Sequence, residues 1–134
     1  MVIDTSALLA IFQNEPERRV FNEAIENAAS CVMSAATFVE TSIVIEARYG
    51  AEGLRYLDLF LSKAGIELVA VDGQQAHVAR HAYFRFGKGR HAAGLNFGDC
   101  FSYALAKVLD VPLLYKGADF ARTDIRAVAT SVST

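Results

Sequence analysis

With 134 residues, 53% hydrophobic and 21% charged side chains, the chain has the size and apolar content of one domain that buries about two-thirds of its unfolded surface, and intrinsic disorder is excluded. A formal net charge of −2 argues against a generally basic nucleic-acid coat. The opening Met1-Val2-Ile3-Asp4 has no secretory character and no apolar run reaches the roughly 18 residues of a membrane span, so a cytoplasmic protein without a membrane partner is expected.

Short strand candidates alternate with helical patterns, which predicts a three-layer α/β/α domain around a mostly parallel sheet, a single domain over residues 1–134. Met1 to Asp4 reads as a first buried strand. Leu8, Leu9, Ile11 and Phe12 then fall at helical spacing between Thr5 and Glu15, and Pro16 permits a break before a helix carrying Val20, Phe21, Ala24 and Ile25. Cys31-Val32-Met33 is a second strand, Ser34 an N-cap, and the next helix runs toward Tyr49 with Gly50 as its stop. A further helix spans Glu52 to Lys63, a strand Ile66 to Val71, and a helix Gln74 to Phe86. After a Gly87-Lys88-Gly89 loop come an apolar helix from Gly98 to Leu109, a strand Val111 to Tyr115, and a tail from Ile125 to Val132 that adds an edge strand. Cys31 and Cys100 lie in apolar segments without CxxC or CxxH spacing and read as reduced core thiols.

Four carboxylates stand in or beside apolar runs: Asp4 after Val2-Ile3, Glu40 before Ile43-Val44-Ile45, Asp99 between Asn96-Phe97 and Phe101, and Asp119 after Leu113-Leu114-Tyr115. Carboxylates are rarely buried unless they are paired or hold a cation. Singly, each has an ordinary reading as a cap or an ion-pair partner; together, the layout gives them one meaning. Ligands of open parallel sheets bind beyond the carboxyl ends of the strands, where Asp4 and Asp119 fall. Glu40 shares a stripe with Ala36, Ile43, Val44 and Ala47 and is predicted to project toward the sheet. Asp99 occupies the first turn of its helix, which begins at that same edge. Four like charges gathered there repel by several kcal/mol, roughly, unless a cation neutralises them, and all-oxygen ligation suits magnesium or manganese.

No acid occurs between Gly73 and Gly98, a stretch holding Arg80, Arg85, Lys88 and Arg90 with His77, His81 and His91, and with Tyr83, Phe84 and Phe86 interleaved. Such a patch suits a phosphate backbone, although a solvated helix face followed by a loop has the same composition.

These motifs together resemble the PIN-domain ribonucleases of the VapC toxin class. Val2-Ile3-Asp4-Thr5-Ser6-Ala7-Leu8 matches the opening motif, Glu40 the helix-borne acid, Leu95-Asn96-Phe97-Gly98-Asp99-Cys100 the third motif, and Leu113 to Phe120 the fourth, in which Ala118 replaces a frequent additional acid. That replacement leaves open whether Asp119 or Asp124 completes the cluster; Asp119 lies nearer the strand end. The resemblance implies a ribonuclease toxin that inhibits translation and is neutralised by a small VapB-type antitoxin. A homodimer is expected because Glu15 to Ile25 and Val39 to Phe60 carry more apolar side chains, among them Phe21, Ile45, Tyr49, Leu54, Tyr56 and Phe60, than one face of the sheet can easily cover. Asp4, Asp99 and Asp119 would be metal ligands, Glu40 a ligand or water-orienting base, and Ser6, Lys88, Arg90 and Lys116 contacts to RNA. A haloacid-dehalogenase-type phosphotransferase would want an Asp where Ser6 stands, and a nucleotide-binding loop lacks its GxxxxGK[ST] signature. A non-catalytic PIN-like regulatory module is the remaining alternative, and retention of all four acids speaks against it.

Overall fold

A computed structural model describes residues 1–130. The chain runs β1 (Val2–Ile3), α1 (Thr5–Phe12), α2 (Arg18–Asn27), β2 (Cys31–Ser34), α3 (Ala35–Ala64), β3 (Ile66–Val69), α4 (Gly73–Phe86), α5 (Phe97–Leu109), β4 (Leu113–Leu114) and a 3₁₀ turn at Phe120–Arg122. The four strands form one parallel sheet in the order β3-β2-β1-β4. The chain therefore leaves β1 toward β2 and later returns to its other side as β4. That reversal makes the β1/β4 carboxyl edge a topological switch point, where open sheets bind ligands.

Strand alternation assigns the two cores. Ile3, Met33 and Leu114 face α1, α2 and α3, with Leu8, Phe21, Ile45 and Leu57 filling that layer. Val2 and Leu113 face α4 and α5, against Ala82, Phe86, Leu95 and Leu105. Cys31 and Cys100 are both buried free thiols.

Ser34 caps its helix as the sequence predicts, and Asn96 caps another whose predicted start is Gly98. Ser34 accepts from the Ala36 N–H, and Asn96 forms a reciprocal capping box with Asp99. Within α3, Gly50 leaves helical geometry at φ 67°, ψ −160°, so the span is two helices meeting at the predicted break. The first strand is shorter than predicted because Asp4 turns out of the sheet to cap α1. The expected edge strand in the tail reduces to a single parallel bridge, Ala127 against Leu113, held by Leu113 N–H to Arg126 O at 2.9 Å and Val128 N–H to Leu113 O at 3.0 Å. Residues 131–134, the end of that predicted strand, lie outside the described residues.

One stripe differs from the prediction. The inward face of α3 is Thr37, Thr41 and Ile45, whereas Ile43 is 63% exposed and Ala47 faces solvent. Two threonines that hydropathy counts as polar take the core positions, because their hydroxyls find partners there. Glu40 is consequently half-buried, at the border of that stripe.

Candidate active site

Asp4 is positioned by its role as the α1 cap. Its Oδ2 accepts from the Ser6 N–H at 3.0 Å and the Ser6 hydroxyl at 2.7 Å, and its Oδ1 accepts from Ser102 Oγ at 2.6 Å. Since the Ser102 proton goes to Asp4, the 3.1 Å contact between Thr37 and Ser102 is donated by Thr37. This relay ties α3 and α5 to the end of β1. With three donors fixing it, the Asp4 carboxylate is oriented by the fold itself.

Glu40 reaches the same edge from α3. Its carboxylate lies directly over Gly98, so that a Cβ added at 98 would fall on Glu40 Oε2. The Thr5 hydroxyl lies 2.7 Å from Glu40 Oε1 and 2.9 Å from Thr41 Oγ1, and Thr41 donates to Thr37 O at 2.9 Å. Two hydroxyl protons thus serve three contacts: Thr41 gives its own to Thr37 O, and Thr5 donates to Glu40 Oε1 with Thr41 Oγ1 beside it. Burial raises the Glu40 carboxyl above its ordinary value, the Thr5 hydroxyl opposes this, and the Asp4 charge reinforces it.

Asp99, at the third position of α5, accepts from the Asn96 N–H at 3.0 Å. Its carboxyl is pushed up to about 7, first by burial and then by the charges of Asp4, Glu40 and Asp119, against the lowering effect of the Asn96 bond. Asp119 is exposed just before the 3₁₀ turn, with no capping bond of its own. Asp124 is held elsewhere: it accepts from Tyr103 Oη at 2.5 Å and pairs with Lys107 at 2.8 Å and Arg85 at 3.6 Å.

Among the described residues, none of Asp4, Glu40, Asp99 and Asp119 forms an ion pair. Nor do any three His, Cys, Asp or Glu side chains there close around a common point as a ready-made ion cage. The predicted convergence thus takes the form of a cluster within electrostatic range, with Asp4 pinned by serines and Asp99 by its capping box. A set of carboxylates with only hydroxyl and backbone partners fits a hard divalent cation.

The predicted RNA contacts divide. Ser6 gives its proton to Asp4 and accepts the Lys116 N–H at 3.0 Å, so it supports the site from within. The Lys116 ammonium is engaged by Glu15 and Glu17, away from a phosphate role. Lys88 and Arg90 are exposed on the loop after α4, with the Arg90 guanidinium 5.2 Å from the Phe84 ring centre. Ser102, Thr37, Thr41 and Gly98 escaped the sequence reading. The signal available for the threonines was their i, i+4 spacing one position away from Glu40.

The Asp99 shift fixes a pH dependence. The folded carboxyl keeps its proton up to about 7 against 3.8 ordinarily, so the folded state binds more protons than the unfolded chain across that window, and stability falls as pH rises through it. In metal-free buffer the melting temperature is expected to decline between about pH 4 and pH 7, then level, and Asp99→Asn to flatten the decline. A wild-type curve rising over the same range would contradict the assignment.

The PIN domain family matches residues 1–126. VapC ribonuclease Mb0640 of Mycobacterium bovis is 56% identical over 129 residues, covering 96% of this chain and 98% of its own. Ribonuclease VapC of Mycolicibacterium smegmatis is 57% identical over 128 residues, covering 96% and 99%. Among solved structures, Mycobacterium tuberculosis VapC20, described as a sarcin-ricin loop cleaving toxin, superposes with a TM-score of 0.75 at 14% identity, covering 92% of this chain and 95% of its own. VapBC2 from Rickettsia felis, solved with a promoter DNA fragment, gives 0.74 at 13% identity, covering 94% of each chain. The latter two likenesses speak for the fold. Given the family match over nearly the whole chain and relatives above half identity, the chain belongs to the PIN-domain family, among the VapC ribonucleases.

Proposed function

We propose that the chain is a metal-dependent endoribonuclease, acting as one cytoplasmic domain and as the toxin of a toxin–antitoxin pair. The observation that carries this is the cluster of Asp4, Glu40, Asp99 and Asp119 at the carboxyl edge of the sheet, without a basic partner among the described residues. Asp4, Asp99 and Asp119 would hold one or two divalent ions, magnesium or manganese. When bound, the ion supplies Lewis-acid neutralisation of the charge that builds on the phosphate. Ser6 and Ser102 keep Asp4 oriented for that task. Glu40, whose carboxyl burial raises above its ordinary value while the Thr5 hydroxyl donates to its Oε1, would take the proton of the attacking water at its carboxylate as the water oxygen bonds phosphorus and the P–O bond to the leaving oxygen opens. Lys88 and Arg90 are the exposed cations placed to hold the RNA backbone.

The antitoxin reading draws on structural neighbours that are complexes, including a toxin–antitoxin complex from Klebsiella pneumoniae. A basic side chain from the antitoxin's tail in the acidic cleft would neutralise the same carboxylates that hold the ion. Of the apolar side chains expected to be in surplus, Phe21 and Ile45 are buried, while Tyr49 and Tyr56 stay exposed beside Val39, Ile43 and Leu59 on α3. This exposed set supports a homodimer. Purified protein is expected to cut RNA with magnesium or manganese and to stop in excess EDTA; undiminished cutting in EDTA would refute the metal dependence. Light scattering and co-purification with the adjacent small reading frame's product test the two protein partners.

A further inference from the structure

On the side of α5 turned away from Asp99, a small crevice opens toward α4. We infer that this crevice binds one unpaired nucleobase of the RNA, stacked against Phe97, beside the phosphate to be cut; the inference rests on the ribonuclease reading above. Phe97 opens α5 and is 77% exposed. Phe101 braces it from one side, with ring centres 4.9 Å apart and planes at 78°, which leaves a ring face free. The adjoining cavity, about 220 Å³, is walled by Ala79, Arg80 and Tyr83 of α4 and by Phe97, Cys100 and Phe101 of α5. Small residues on α4 leave a slot suited to a flat ligand.

Charge selects nucleic acid over an apolar peptide. The segment from Gly73 to Gly98 has no acid, Arg80 stands at the cavity wall, and Arg90 lies over the Phe84 and Tyr83 rings at 5.2 and 6.0 Å. Positions 97 and 99 are about 200° apart around the helix, so the ring and the carboxylate flank the amino end of α5 on opposite sides. A strand whose phosphate sits at Asp99 carries its next nucleotide across that end, toward Phe97. Unpaired bases stack on aromatic faces largely regardless of sequence.

The test uses single-stranded RNA with 2-aminopurine at successive positions, in an Asp4→Asn background that binds without cutting. Quenching is expected at one position flanking the cleavage point. Phe97→Ala should abolish it and weaken binding by roughly tenfold to a hundredfold, while Phe97→Tyr keeps both. If wild type cuts the RNA but Phe97→Ala binds and quenches like its parent, the crevice inference falls and the ribonuclease reading stands. If wild type cuts no RNA, both fall. A halved mass in light scattering for Phe97→Ala, with quenching intact, would give this face to a second copy of the chain and overturn the inference.

Discussion

Asp4→Asn and Asp99→Asn should each lower RNA cleavage by roughly 10³-fold or more, yet shift thermal stability in opposite directions. Both remove a charge from the cluster, and charge counting alone predicts a gain in stability for each. The hydrogen bonds separate them. Asp99 has one backbone donor, from Asn96, which an asparagine oxygen serves equally well, and its ionised carboxyl is disfavoured by burial and by three neighbouring acids. Asp99→Asn should therefore melt higher than wild type at pH 8 in EDTA. Asp4 accepts from Ser6 N–H, Ser6 Oγ and Ser102 Oγ, and an amide can no longer accept on both ends. Loss of these charge-assisted bonds should lower the stability of Asp4→Asn by about 1–2 kcal/mol. Scanning calorimetry with a cleavage assay reads both effects. Retained cleavage in either variant would remove that residue from the catalytic set, and a lower melting point for Asp99→Asn would make its role structural.

Gly98→Ala is expected to cost roughly a hundredfold in cleavage without loss of helix content. Alanine is the better helix former by about 1 kcal/mol, so in an ordinary helix this change stabilises. Here the new methyl would take the place of the Glu40 carboxylate and force that side chain away from Thr5 and the other acids. A double-mutant cycle isolates the cause. Once Glu40→Ala has removed the carboxylate, Gly98→Ala should have no further effect on cleavage and should recover its helix-forming gain in stability. Additive losses in the double variant would mean that Gly98 acts on something other than Glu40.

How far the sequence could be read depended on whether a residue's role was local. The helix start at Ser34 and the break at Gly50 depend on neighbours within a few positions, and that cap and that positive φ are where local chemistry puts them; the Asn96 cap was not read, and its helix begins one residue before the predicted Gly98. The parallel sheet followed from strand and helix alternation. The α3 stripe was misplaced by one position because Thr37 and Thr41 are buried through hydroxyl partners on α1 and α5, contacts separated by 36 and 65 residues. For the same reason Ser102 was invisible: its partner, Asp4, lies 98 positions away. The choice between Asp119 and Asp124 turns on where Tyr103, Lys107 and Arg85 meet in space. Burial works against the charge on Asp124, but its Lys107 and Tyr103 hydrogen bonds together outweigh that and hold its carboxyl below the usual range. Lys116 was assigned by its place beside the fourth motif, and Glu15 and Glu17 reach it from across the fold.

The parallel arrangement also decides how the molecule can be handled. Met1 precedes β1, its ammonium bonded to Ser30 O at 2.8 Å, and Ala127 pairs with Leu113 at the start of β4. Both points therefore lie at the amino edge of the sheet, opposite the carboxylates. A surface tether, a fluorophore or a fused reporter attached near either would stand behind the cleft and leave its mouth open to the medium. Single-molecule measurements on an immobilised copy thus become practical without redesigning the site.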